Sequence, residues 1–199
     1  AGLWAGEGHS SYRANDFGMM YIVRMEALPF GKFKDYSESA LERPEGPRLS
    51  LGIAYGHVRN ARGQKGVLGS APGDGLTTDT DNLTADLLFK WSGFSLQSEF
   101  YMREGTRPEA ATEAPRDGWG AMAQAGYLLP GMDLELALRY ASLAGTGDTI
   151  LADRSEAGAA LSYYFARHPY KLQADLRREW AESMDEGDDV LRVQLQTSF

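Results

Sequence analysis

The stretch Leu83-Thr84-Ala85-Asp86-Leu87-Leu88-Phe89-Lys90-Trp91-Ser92-Gly93-Phe94-Ser95-Leu96-Gln97-Ser98-Glu99-Phe100-Tyr101-Met102-Arg103 decides the fold. On both sides of Ser92-Gly93 the residues alternate. Leu83, Ala85, Leu87, Phe89 and Trp91, then Phe94, Leu96, Ser98, Phe100 and Met102, form one set that is almost wholly apolar. The opposite set holds Thr84, Asp86 and Lys90, then Ser95, Gln97, Glu99 and Arg103. A period of two belongs to a β-strand whose faces meet different media, and the Ser-Gly break between two such runs reads as a hairpin turn. Each run has about the 9 to 11 residues that a tilted strand needs to cross a bilayer.

Outward from this hairpin the pattern repeats. Nine segments are expected, at about 18–29, 47–58, 82–92, 94–104, 118–129, 132–142, 156–167, 170–181 and 189–199. Three connections are short and contain Gly or Pro: 91–94, 129–132 and 166–170. Residues 59–81, 105–117, 143–155 and 182–188 are instead long, polar and too poor in apolar area to fold alone. Short turns at one end and long loops at the other are the pattern of outer-membrane barrels, with turns toward the periplasm. Residues 30–46 break it: strand count places a turn there, yet the connection is long and carries Gly31 and Pro44, with Pro47 just after. Residues 1–17 precede the first full strand; Leu3 and Trp4 read as the tip of a preceding strand and 7–17 as the loop after it.

The apolar parity continues through Leu49, Leu51, Ile53 and Tyr55; Leu134, Leu136, Leu138 and Tyr140; Ala159, Leu161, Tyr163 and Phe165; and Leu191, Val193, Leu195 and Phe199. A soluble β-sandwich would alternate in the same way. The aromatics favour a membrane, because they fall on the apolar parity toward both strand ends, as two interfacial girdles require. Trp91, Phe94, Tyr127, Phe165, Tyr170 and Phe199 lie near short turns; Tyr55, Phe100, Trp119, Tyr140 and Trp180 lie near long loops. Arg178 is an exception on this parity and reads as a snorkelling side chain or a contact to anionic headgroups.

Composition agrees without deciding. No run approaches the roughly 20 apolar residues of a membrane helix. A net charge of -8 argues against a nucleic-acid partner, and the absence of cysteine excludes disulfides and zinc-thiolate sites. The expectation is an all-β, antiparallel transmembrane barrel over 1–199, one domain with about nine strands visible.

The closing strand Leu191-Arg192-Val193-Gln194-Leu195-Gln196-Thr197-Ser198-Phe199 resembles the C-terminal strand of bacterial outer-membrane proteins, whose terminal Phe is read by the barrel-assembly machinery. With Arg24-Met25-Glu26 and the Pro-containing linker into Pro47-Arg48-Leu49-Ser50-Leu51-Gly52-Ile53-Ala54-Tyr55, the chain resembles the phosphate-selective porin O and P family over most of its length. That resemblance implies a C-terminal portion of a 16-stranded barrel in the bacterial outer membrane, set among lipid and lipopolysaccharide. It also implies a homotrimer and passage of small anions such as phosphate. A complete ten-stranded barrel is the alternative architecture. No cofactor, metal or catalysis is implied.

The chemistry of such a wall is the field of its inward charges. The polar parity supplies Arg24, Arg48, Lys90, Arg103, Arg139, Lys171, Arg177 and Arg192 as candidate anion contacts, against Glu26, Asp86, Glu99, Asp133, Glu135, Asp175 and Glu179. Paired on adjacent strands, the same residues would only stabilise the wall. The acidic runs Asp79-Thr80-Asp81 and Asp185-Glu186-Gly187-Asp188-Asp189 read as solvated, with divalent bridging to lipopolysaccharide as the sharper reading. A small closed or plugged barrel with an adhesive, structural or hydrolase role is the competing class. A hydrolase would need a base, and His57 at a strand's outer end is the candidate.

Overall fold

Strands that are neighbours in sequence are neighbours in space throughout. The computed structural model describes residues 1–5, 18–34, 36–63 and 71–198. In them ten antiparallel strands form a single sheet in chain order: β1 Gly2–Ala5, β2 Met19–Ala27, β3 Arg48–Ala61, β4 Thr78–Trp91, β5 Phe94–Thr106, β6 Gly118–Leu128, β7 Leu134–Gly145, β8 Arg154–Ala166, β9 Tyr170–Trp180 and β10 Asp188–Thr197. The tenth strand is β1, the Leu3-Trp4 tip, paired with β2. Among the described residues β1 and β10 are the sheet's two edges. The chain is therefore all-β and antiparallel, a meander of the kind that forms a barrel wall.

The β4–β5 hairpin closes through a two-residue turn, with Trp91 opposite Phe94. Ser92 and Gly93 both have positive φ, 48° and 89°, the geometry whose twist matches the flanking strands. The register keeps the two parities apart across the whole sheet. Leu51, Leu87, Ser98, Ala123, Tyr140 and Ala157 follow one another on the outer face, strand to strand.

Among the described residues the outer face has no second layer. Leu138 is 67% exposed, Met25 65% and Leu191 71%, whereas in a sandwich this face would be the buried core. A continuous apolar face of this size is stable only against lipid or another apolar surface. It also has a limit. Outward residues run Leu49, Leu51, Ile53, Tyr55 and then change to His57 and Arg59; on β4 they run from Trp91 to Leu83 and then change to Asp81 and Asp79; on β5 Met102 is followed by Glu104. From Trp91 to Leu83 the apolar run is about 26 Å along the strand at about 3.3 Å per residue, or roughly 20 Å of height at a strand tilt of about 40°, of the order of a lipid-facing band.

The strands outlast that band. β3 and β4 have 14 residues each, so they continue into the stretch expected to be loop. The loops beyond them hold one another. Asp74 accepts from Leu76 N–H (3.0 Å), Thr112 N–H (3.0 Å) and the Arg107 guanidinium (2.7 Å), and Arg107 donates to the Glu113 carbonyl (2.6 Å). Thr149 donates to the Pro115 carbonyl at 3.0 Å. Three polar loops that bury little apiece are thus ordered by hydrogen bonds to each other.

The long connection between β2 and β3 has a physical reason that the sequence did not show. It folds inward against the inner face at the turn end. Phe33, Ser39 and Ala40 are buried, and so are the inner-parity residues Ser50, Leu88, Lys90, Ser95, Leu128, Glu135, Ser162 and Tyr164 around it. Covering Phe33 contributes roughly 2 kcal/mol. Arg43 donates to the Leu128 carbonyl at 2.9 Å and to that of Leu129, passing over Gly93, where a side chain would lie 2.7 Å from its guanidinium. The Ser92 N–H donates to the Pro44 carbonyl and the Trp91 indole to that of Glu45, at 3.0 and 3.1 Å. The connection is a built-in shelf inside the wall.

Candidate functional site

The inner face sorts its charges into cross-strand rows. Glu26, Asp86, Glu99, Glu156, Glu179 and Asp188 share one row, joined through Gly52, Met122 and Ala141. Arg24 and Arg154 lie on the next row toward the loops, and Arg139 and Arg177 on the next toward the turns, flanking Gly158. Arg48, Lys90, Asp175 and Arg192 share the row beyond. An acidic row between basic rows puts opposite charges within reach from one row to the next, and ion pairs form. Arg24 reaches Asp86 at 2.5 Å, Arg139 reaches Glu156 at 2.7 Å and Arg177 reaches Glu179 at 2.7 Å, while Arg192 meets Asp175 directly opposite at 2.7 Å.

These four pairs are not equivalent. Arg24 bonds both oxygens of Asp86 through both terminal nitrogens, crossing above Gly52, where a Cβ would lie 2.4 Å from each partner. Arg139, Arg177 and Arg192 each bond their carboxylate through Nε alone. Their terminal amino groups have no hydrogen-bond partner among the described residues. All three line one concavity of about 470 Å³ together with Lys171, Glu38, Gln124, Gln173 and Gln194. Half-engaged guanidinium groups around a polar recess retain donors for a carboxylate or phosphate oxygen.

The remaining candidates lie elsewhere. Lys90 is on the inner face but is covered: 3% exposed, it donates to the Ser39 carbonyl at 2.7 Å and to Ser37 Oγ at 3.2 Å. Its expected place on an open pore wall is corrected to that of an anchor for the inserted connection. Arg48 donates to the Phe30 carbonyl at 3.2 Å. Arg103 sits beneath the loops, beside Thr78, Pro115 and Arg116. Lys171 Nζ stands 5.9 Å from the Tyr164 ring centre. Three carboxylates are held by neutral donors: Glu26 by Ser50 and Tyr36 (2.7 and 2.9 Å), Glu99 by Gln97 (2.8 Å) and Tyr101, and Glu135 by Tyr164 (2.5 Å). The hydrogen bond to Glu26 holds the Tyr36 phenol above its ordinary pKa.

Tyr36, Glu38, Arg154, Glu156 and Tyr101 also stand on the inner side and were not among the residues expected there. Arg154, Glu156 and Tyr101 stand on the polar parity of their strands and were legible there; Tyr36 and Glu38 belong to the connection, which has no periodicity.

On the outer face Trp91, Tyr127, Tyr140 and Phe165 are exposed and Phe94, Trp119 and Trp180 line the same parity. Phe165 stacks on Tyr170 with ring centres 4.6 Å apart, and Tyr140 approaches Trp180 at 6.3 Å. Phe199 lies outside the described residues. Arg178 is taken by its own loop: it bonds both oxygens of Asp189 at 3.1 Å and the carbonyls of Met184 (2.6 Å) and Asp185 (3.0 Å). Its guanidinium is thus engaged by protein acceptors at the loop end. His57 Nδ1 lies 2.9 Å from Asp81, which also accepts from the Tyr55 hydroxyl; among the described residues it has no hydrogen bond to a serine. Among the described residues no group of three or more metal-ligating side chains is present.

No family model matches the sequence, and no curated protein matches it. Among solved structures, a BenF-like porin from Pseudomonas fluorescens Pf-5 is similar, with a TM-score of 0.48 and 12% sequence identity over 92% of this chain and 50% of that one. The chain thus spans about half the length of that porin.

Proposed function

We propose that the chain is the wall of an outer-membrane channel through which small hydrophilic solutes diffuse passively, with small anions as the favoured class. One observation carries the reading: a single sheet exposes a bounded apolar belt on one face and rows of charge on the other, so that one face meets lipid and the other water. The anion preference rests on Arg139, Arg177 and Arg192, whose terminal donors border the same recess. Their carboxylate partners offset the charge, so the expected preference is weak. Phosphate would have to compete with carboxylates already in place. Set in the outer membrane, such a wall would be assembled through the strand ending in Phe199 and packed as a homotrimer.

The test is the reversal potential of the full-length protein in a planar bilayer under a potassium chloride gradient, with phosphate titrated in. A modest anion preference that phosphate reduces supports the proposal. Cation preference removes the anion class and leaves a general diffusion channel. The inserted β2–β3 connection favours a second reading, a plugged barrel, and folded protein that carries no current would establish it.

A further inference from the structure

Among the described residues, Glu38 is the one carboxylate that the inserted connection brings to the arginine recess. It lines the same 470 Å³ concavity as Arg139, Arg177 and Arg192, yet it forms no hydrogen bond or ion pair with any described residue. Its placement is enforced by its neighbours. Lys90 grips Ser37 Oγ and the Ser39 carbonyl on either side of it, and Ser37 Oγ donates to the Ser39 carbonyl at 3.3 Å. Ser39 is fully buried and Ala40 follows it into the wall, whereas Glu38 is exposed. A segment held from the wall side through the Ser37 hydroxyl and the Ser39 carbonyl turns the side chain between them toward the lumen.

We infer that Glu38 is a specificity-determining residue of the channel, a tethered carboxylate that competes with anionic solutes for the free guanidinium donors of Arg139, Arg177 and Arg192. The inference rests on the anion-channel reading above. A carboxylate is the same chemical class as the solutes those donors would take, and it is present at a fixed high local concentration. It therefore weakens retention of a passing anion and adds a negative charge at the recess. Lys90 is the positioning residue, since it fixes the backbone from which Glu38 projects.

The experiment compares wild type, Glu38→Gln, Glu38→Asp and Lys90→Met as full-length proteins in planar bilayers under a potassium chloride gradient, with inorganic phosphate as the blocking probe. Glu38→Gln is expected to raise the anion-to-cation permeability ratio about twofold, the effect of one unit charge several ångströms away in a wet lumen, and to lower the half-blocking phosphate concentration. Glu38→Asp keeps the wild-type ratio, which a merely structural role for the side chain's length would not give. Lys90→Met shifts the ratio in the direction of Glu38→Gln. Conducting Glu38→Gln channels with an unchanged or lowered ratio overturn the inference and leave the channel reading intact, whereas a wild-type protein that conducts nothing overturns the channel reading itself.

Discussion

At the scale of single residues, the difference between Arg24 and the other inner arginines is made by what lies beneath them. Gly52 gives Arg24 a path across β3 to Asp86, two strands away, so both terminal nitrogens are spent on one carboxylate. Gly52→Val is expected to part this pair and leave the fold intact, because the atoms it displaces are the mobile ends of two side chains. Both groups are partly exposed, so stability should fall by no more than about 1 kcal/mol. Urea titration of refolding into lipid vesicles measures that difference, and a loss of several kcal/mol would mean that the pair holds the wall together. Opposed charges such as Arg192 and Asp175 follow from strand register alone; a contact that skips a strand over a glycine does not.

At the scale of elements, the loops and the inserted connection are ordered by long-range contacts. Asp74 is the hub of the loop end. Its carboxyl is held at about 2, below its ordinary 3.8, first by the Leu76 N–H and further by Arg107 and the N–H groups of Thr112 and Glu113. A carboxyl whose pKa is lowered on folding contributes stability that is complete above about 3.8 and is lost as pH falls through about 2. Cleavage by an acid protease within residues 71–77 and 107–117 should therefore rise steeply as pH is lowered from about 4 to about 2. Asp74→Asn should be cut at the higher pH as well; equal resistance of the two proteins would show that Asp74 does not hold the loops. None of this was legible in the sequence, where Asp74 is one acid in a polar run. The β2–β3 connection was legible only as too long for its place. Phe33, Ser39 and Ala40 carry no period, and the connection they belong to is held by Lys90 and the Leu128 carbonyl, which come from distant strands. The strands themselves were readable because period two is local, and only their loop-side ends were underestimated, where the outward residues turn polar while pairing continues.

At the scale of the molecule, the account is that one sheet separates two solvents. The apolar belt then has a depth dependence. Leu138→Arg, on the outer face of β7, should cost about 2–4 kcal/mol of folding free energy in bilayers, and Glu104→Arg, beyond the belt, no more than about 1 kcal/mol; equal costs in vesicle refolding would remove the belt. The sequence made the two faces readable and left the sorting of charge into rows obscure, since rows such as Glu26, Asp86, Glu99, Glu156 and Glu179 depend on the register of every pair between them. The most direct test uses the absence of cysteine from the chain. Single cysteines are placed at each position from Leu134 to Ala141 on β7, the protein is folded into lipid vesicles, and labelling by a charged, water-soluble thiol reagent is measured. The account predicts labelling with a period of two, strong at 137, 139 and 141, weaker at the covered position 135, and absent at 134, 136, 138 and 140. Uniform labelling, or strong labelling at 136 and 138, would contradict it.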